Sequence, residues 1–328
     1  MNNLLWVRPP GRQTADVTYI HAFAAAQTSG DLREIPQNLL MPSSSSDLFS
    51  VPALFSKALY HDPAPVGGVA VALLAGTYGL FGLSPDLPLL VAGFCGTTLL
   101  YAADRAWTET PEDRVNRPER VAWVQAHARW LAVESAGLVA LGGAMLPLLE
   151  WWTLVWTGIL GSVAGLHLLP RGTKRPVLTG LPKPVVIAGT WAAGGVLLPL
   201  VEAGEPIGSG ALLFFGDRWL FLLPNLLLAD WGDREGDAEA GLAPWATSWS
   251  ARQVRGSATA LLLGAAAGSL VWAVSGTVPI LAGVDAVGPV LMMGAVWGID
   301  PTRPRDAFLF DLVVAWPLIP ALLAWMIV

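Results

Sequence analysis

Asp230, Asp233 and Asp237 stand three and four residues apart in the run Asp230-Trp231-Gly232-Asp233-Arg234-Glu235-Gly236-Asp237. On a helix, positions i, i+3 and i+7 share one face. Carboxylates lined up in this way repel one another unless a cation lies among them. An oxygen-only donor set suits Mg²⁺, which takes one or two carboxylates and leaves its other positions to water and phosphate oxygens.

Two further segments carry charge in a pattern that can do chemistry. One runs from Asp104-Arg105 through Glu109, Glu112 and Asp113 to Asn116-Arg117-Pro118-Glu119-Arg120. The other holds Arg171, Lys174, Arg175 and Lys183. Acids that hold a metal, with basic groups close by, form a combination that binds a polyanion, and diphosphate is the simplest candidate. The single Cys95 lies in an apolar run and provides neither a disulfide framework nor a thiolate metal site.

The elements that must position these segments are membrane helices. Only 13% of the 328 residues are charged while 54% are hydrophobic, and a soluble domain is nearer a quarter charged. The mean hydropathy is +0.54. A net charge of −6 argues against a nucleic-acid partner. Residues 1–55 are polar and form a disordered tail in this reading, with Met41 as an alternative start, and residues 56–328 form one transmembrane domain. Within it, apolar runs near 66–82, 86–103, 129–147, 149–169, 184–202, 207–229, 257–275, 278–298 and 308–327 each have about the length that crosses a bilayer. The expected fold is an all-α integral membrane protein of about nine helices, two four-helix units plus a ninth, around a central cavity. Small residues at Gly264 and Gly268, and at Gly158, Gly161 and Gly165, mark faces where helices can approach closely.

The loops after the second, fourth, sixth and eighth runs hold Lys and Arg, whereas the short loops between them, such as 83–86 and 202–205, hold none. This alternation puts the N-terminus and the acidic segments in the cytoplasm and the C-terminus outside. Asp217-Arg218, Glu134, Asp285 and Asp311 fall inside apolar runs. Such groups pair with one another or face a cavity. Asp217 and Arg218 lie roughly 18 Å from Asp230 at 1.5 Å per residue, and are read either as lining the far end of the cavity or as a structural pair. His127 and His167 sit at helix ends, where interface hydrogen bonding accounts for them.

The stretch Asp230–Asp237, continued by 241–247, resembles the second aspartate-rich motif of the UbiA superfamily of intramembrane prenyltransferases. Asp104-Arg105 with Asn116-Arg117-Pro118-Glu119-Arg120 resembles the first motif and its tail, and the stretch 168–191 resembles the basic loop leading into the fifth helix. The likeness covers roughly 55–328. In the family the first motif carries an Asn-Asp pair and two further aspartates; here Tyr101 and Thr108 fall at the outer aspartates when Asp104 is aligned with the middle one. Alignment on Asn116 makes Asp113 the last acid and Glu109 the middle one, so the first metal site is altered either way.

The resemblance implies that Asp230, Asp233 and Asp237, helped by Asp104, hold Mg²⁺ on a polyprenyl diphosphate. It implies that Arg117, Arg120, Lys174, Arg175 and Lys183 offset the charge of the leaving group, and that Asp113 and Asn116 contact substrate; Asp217 and Arg218 join them as substrate-binding candidates through their place inside the sixth apolar run. The expected reaction is prenyl transfer to an aromatic or lipid-like, hydrophobic acceptor among membrane lipids. A membrane terpene cyclase would use the same ionisation with the isoprenoid's own double bond as nucleophile. A non-catalytic binding or transport protein would keep the fold without the chemistry.

Overall fold

The structure, a computed structural model, describes residues 58–107, 111–166, 182–239, 244–275 and 278–327. The chain runs through α1 (Ala64–Phe81), α2 (Leu87–Trp107), the short α3 (Pro111–Asn116) and α4 (Pro118–Ala126), then α5 (Ala128–Met145) and α6 (Trp151–Gly165). After an interval come α7 (Pro182–Glu202), α8 (Ser209–Gly232), the short α9 (Arg234–Glu239) and α10 (Pro244–Ser248), and α11 (Ala251–Ser275). The last two crossings are each broken once, into α12 (Pro279–Asp285) and α13 (Val287–Gly298), and into α14 (Pro304–Val314) and α15 (Leu318–Ile327).

Eight segments among the described residues are long and apolar enough to span a membrane. They coincide with eight of the nine apolar runs. The run at 149–169 contains α6, whose 15 residues extend about 22 Å at 1.5 Å per residue, short of the ~30 Å hydrocarbon core. The expected count of nine is therefore not reached among the described residues. The molecule is an all-α, multi-pass integral membrane protein.

In lipid the helices gain little from hiding apolar surface from one another, so close packing and interhelical hydrogen bonds hold them together. A Cβ on Gly79 of α1 would lie 2.7 Å from the Ala321 Cα of α15, so only glycine allows that approach. Two residues earlier, Thr77 donates to the Gly195 carbonyl of α7 at 2.7 Å. Gly268 of α11 packs against the Asp217 side chain of α8, and Gly264 against Leu220. No atom lies within 4 Å of a Cβ placed on Gly158, Gly161 or Gly165, so the small-residue face of α6 meets no neighbouring helix among the described residues. The outer faces are apolar, as lipid contact requires: Trp130, Val133 and Leu141 on α5 and Leu270, Val271 and Val274 on α11 are exposed.

Helix α8 is the central strut. It packs on α7, α11 and α14, and its Phe221, Leu222, Leu227 and Leu228 lie in the largest buried cluster. Trp219 donates to the Val185 carbonyl of α7 at 3.0 Å, fixing the two helices in register. Pro224 lies within α8. It removes a backbone donor from the helix ladder one residue before Asn225.

Candidate active site

The acidic motif sits where α8 ends. The helix stops at Gly232, Asp233 takes φ −90° and ψ 4° as its C-cap, and α9 begins at Arg234. The Asp237 amide still donates to the Asp233 carbonyl at 3.1 Å, so the chain keeps its helical sense across the break. Asp230 lies on the last turn of α8, where Lys183 Nζ at the start of α7 pairs with its Oδ1 at 3.1 Å. Asp233 is paired with Arg117, whose Nη2 and Nε lie 2.8 and 2.9 Å from Oδ1. Asp233 and Asp237 are also electrostatic neighbours of Lys183.

The junction between α3 and α4 clasps this motif. Asn116 Nδ2 donates to the Asp233 carbonyl and its Oδ1 accepts from the Gly236 amide, both at 2.8 Å. Gly236 permits this, since a Cβ there would lie 2.6 Å from Asn116 Nδ2. Arg117 reaches further, to the Pro301 carbonyl at 3.2 Å and the Thr302 carbonyl at 3.4 Å. Pro118 follows at the first turn of α4, where a missing amide hydrogen costs nothing. The order Asn-Arg-Pro thus reads as clamp, ion-pair donor and helix start.

Beneath the clasp lies a cavity of about 410 Å³. Its mouth is lined by Asn116, Arg117, Arg120, Asp233 and Thr302, and its wall by apolar residues including Val66, Val69, Leu222, Leu226 and Val314. Tyr101 and Arg105 of α2, Asn225 of α8 and Asp311 of α14 also face it. Arg105 donates through Nη1 to the His61 carbonyl, and Arg120 and Asp311 are its electrostatic neighbours. Tyr101 stands edge-on to Trp191 with ring centroids 6.2 Å apart.

The residues expected to act are distributed unevenly. Arg117, Arg120, Asn116 and Asp233 line the cavity, while Asp230 and Lys183 form the adjoining pair. Asp104 of α2 is near Tyr101 and Arg105 but does not line the cavity. Asp113 falls in α3, and Lys174, Arg175 and His167 lie outside the described residues. Asp217 and Arg218 are away from the cavity wall in a buried ion cluster: Arg218 Nη2 contacts the Asp285 carboxylate of α12 at 2.6 and 2.7 Å. Its Nη1 lies 3.7 Å from Asp217 Oδ2, and the guanidinium sits 4.4 Å from the Phe214 ring centroid. Asp217 and Arg218 are not among the residues lining this cavity. Asn225, His61 and Asp62 are polar cavity groups that residue spacing did not single out. Asn225 gave a faint signal, a polar side chain following Pro224 inside an apolar run.

The donor set at the mouth fits a hard divalent cation. Asp230 and Asp233 are carboxylates one helical turn apart, and each engages its basic partner through Oδ1. Among the described residues no three His, Cys, Asp or Glu side chains are grouped closely enough to enclose an ion. Further ligands would come from phosphate oxygens and water, the mixture Mg²⁺ favours.

An all-α bundle with acids and bases joined above a membrane cavity defines the class as a polytopic membrane protein. No protein-family model matches the sequence, and no curated protein matches it. Solved structures do. The apo form of a UbiA homologue from Aeropyrum pernix K1 superposes with a TM-score of 0.54 and 15% identity, covering 80% of this chain and 98% of that one. A structure of digeranylgeranylglyceryl phosphate synthase matches with a TM-score of 0.48 and 15% identity, covering 85% of this chain and 100% of the other. The chain has the fold of the UbiA homologue, the architecture that its motifs implied.

Proposed function

We propose that this protein is an intramembrane prenyltransferase of the UbiA superfamily, acting on a polyprenyl diphosphate and a hydrophobic acceptor with Mg²⁺. The observation that carries the reading is the clasp of Asn116 and Arg117 on Asp233 and Gly236. It brings the tail of the altered first motif onto the intact second one, directly over an apolar-walled cavity. Bound Mg²⁺ would be held by Asp230 and Asp233 and would supply Lewis acidity toward the diphosphate oxygens.

The chain's own groups do the rest. Arg117 and Arg120 line the mouth and Lys183 adjoins it, placing positive charge where the leaving group gathers negative charge, a preorganised stabilisation of the kind that often dominates catalysis. The apolar wall accepts the prenyl tail and keeps water from the allylic cation. The diphosphate end faces the side on which basic loops collect, which by the distribution of Lys and Arg is the cytoplasm. Asp104 and Asp237 flank this region as further candidate ligands.

The test is diphosphate release from geranylgeranyl diphosphate and shorter homologues by the purified protein, with and without Mg²⁺, alongside Asp233→Ala. Mg²⁺-dependent release that disappears in the variant supports the reading. Absence of release with every chain length, both alone and with aromatic and lipid acceptors, overturns it in favour of a binding or transport role. Release without acceptor that yields a cyclic hydrocarbon would instead identify a cyclase.

A further inference from the structure

Asp311 has no part in the chemistry described so far. It sits on α14, inside a membrane-spanning segment, and faces the cavity. A carboxylate can accept about four hydrogen bonds. Among the described residues the Asp311 side chain receives one, from Asn225 Nδ2 at a long 3.5 Å. Leaving a carboxylate so poorly satisfied within a membrane is costly. Arg105 supplies a compensating charge nearby, yet no cation forms an ion pair with Asp311 at contact distance among the described residues.

Position matters as much as satisfaction. Asn225 precedes Asp233 by eight residues on α8, which sets it roughly 12 Å further in at 1.5 Å per residue. The mouth of the cavity, at Asp233, and its Asp311 end are therefore separate. Tyr101 completes the inner end as an electrostatic neighbour of Asp311.

We propose that Asp311 and Asn225 form the acceptor subsite of this cavity, that the acceptor carries a hydroxyl group, and that Asp311 takes its proton. The idea rests on the prenyl-transfer reading and specifies its second substrate. In the step, the allylic C–O bond breaks and its electron pair leaves with the diphosphate. The acceptor oxygen forms the new bond to that carbon, and the hydroxyl proton passes to the Asp311 carboxylate. Asn225 is a positioning residue that orients the carboxylate toward the cavity.

Binding tests this without turnover. The full-length protein in detergent is titrated with 4-heptylphenol and its methyl ether, and with dodecanol and its methyl ether, by calorimetry. The expected result is that each hydroxyl compound binds about tenfold or more tightly than its ether, the worth of a hydrogen bond to a charged acceptor. Asp311→Leu, close in volume and suited to a membrane helix, should erase the difference. Equal binding of each pair by the wild type, or a preference unchanged in Asp311→Leu, overturns the subsite. In turnover, Asp311→Asn should lower prenyl transfer to a hydroxyl acceptor about a hundredfold or more, and unchanged transfer overturns the proton-accepting role. A wild type that releases no diphosphate, yet keeps an Asp311-dependent hydroxyl preference, counts against prenyl transfer while upholding the subsite.

Discussion

Arg117 and Asp233 are 116 residues apart in the chain, yet the guanidinium contacts one carboxylate oxygen through both Nε and Nη2 at 2.9 and 2.8 Å. The pair joins the junction between α3 and α4 to the acidic turn at the end of α8. Both side chains face the cavity, so the contact is part of the site as well as part of the fold.

Arg117→Ala is expected to lower diphosphate release by about ten- to a hundredfold, the range set by about 1.5–3 kcal/mol for hydrogen bonds to a charged group. Arg117→Lys should recover part of this only, because an ammonium cannot reproduce the two-nitrogen contact with Asp233 while also reaching the Pro301 and Thr302 carbonyls. Steady-state assays on the three proteins decide it, and a lysine variant equal to wild type would show that charge alone suffices.

Gly236 and Asn116 should be coupled. Gly236→Ala forces a methyl against the Asn116 amide and is expected to destabilise by about 1–3 kcal/mol. In an Asn116→Ala background the obstruction is gone, so the added cost of Gly236→Ala should shrink to a few tenths of a kcal/mol. Thermal unfolding of the four proteins in one detergent gives the cycle, and additive costs would contradict the clamp.

The ion cluster on α8 predicts a different kind of loss. Arg218→Met leaves Asp217 and Asp285 buried without their cation, at a cost of about 3–5 kcal/mol. Neutralising both acids as well, with Asp217→Asn and Asp285→Asn, should restore most of that stability. Failure of the triple variant to recover in thermal unfolding would assign the loss to packing of the long side chain against Phe214 instead.

Between α13 and α14, the Thr302 hydroxyl and amide donate to Asp300 Oδ1 at 2.7 and 3.1 Å, and the hydroxyl above all holds that carboxyl below its ordinary range. With the folded value depressed, the stabilisation is present above the unfolded value, about 3.9, and is lost as pH falls through the lower folded one. Thr302→Val should therefore melt below wild type at pH 6, and the gap between the two melting temperatures should shrink steadily as pH falls below about 3.9. A gap of unchanged size down to the lowest pH at which both proteins stay folded would mean that the carboxylate is not the source.

Much of the scaffold was legible because a bilayer allows few ways to satisfy a backbone. An apolar run of about twenty residues reads as a helix whatever its partners, and eight of nine such runs became spanning segments. The exception, 149–169, shows what length alone misses: the described helix there is confined to Trp151–Gly165. Asp230, Asp233 and the Asn116-Arg117-Pro118 tail were legible through local spacing and motif. The ion pairs that Asp230 and Asp233 make with Lys183 and Arg117 were not, because they join residues separated by 47 and 116 positions. The same holds for the inner end of the cavity. Asp311 stood out as a costly charge, but only the packing of α14 beside α8 reveals that Asn225 faces it.

The Asn116 clamp has a consequence for traffic through the site. A single side chain holds both the carbonyl of Asp233 and the amide of Gly236. Lifting the α3–α4 junction away from the acidic turn, or reshaping the turn beneath it, therefore breaks both bonds at once. Under the prenyl-transfer proposal, admission of the diphosphate and its escape after cleavage would both pass this one latch.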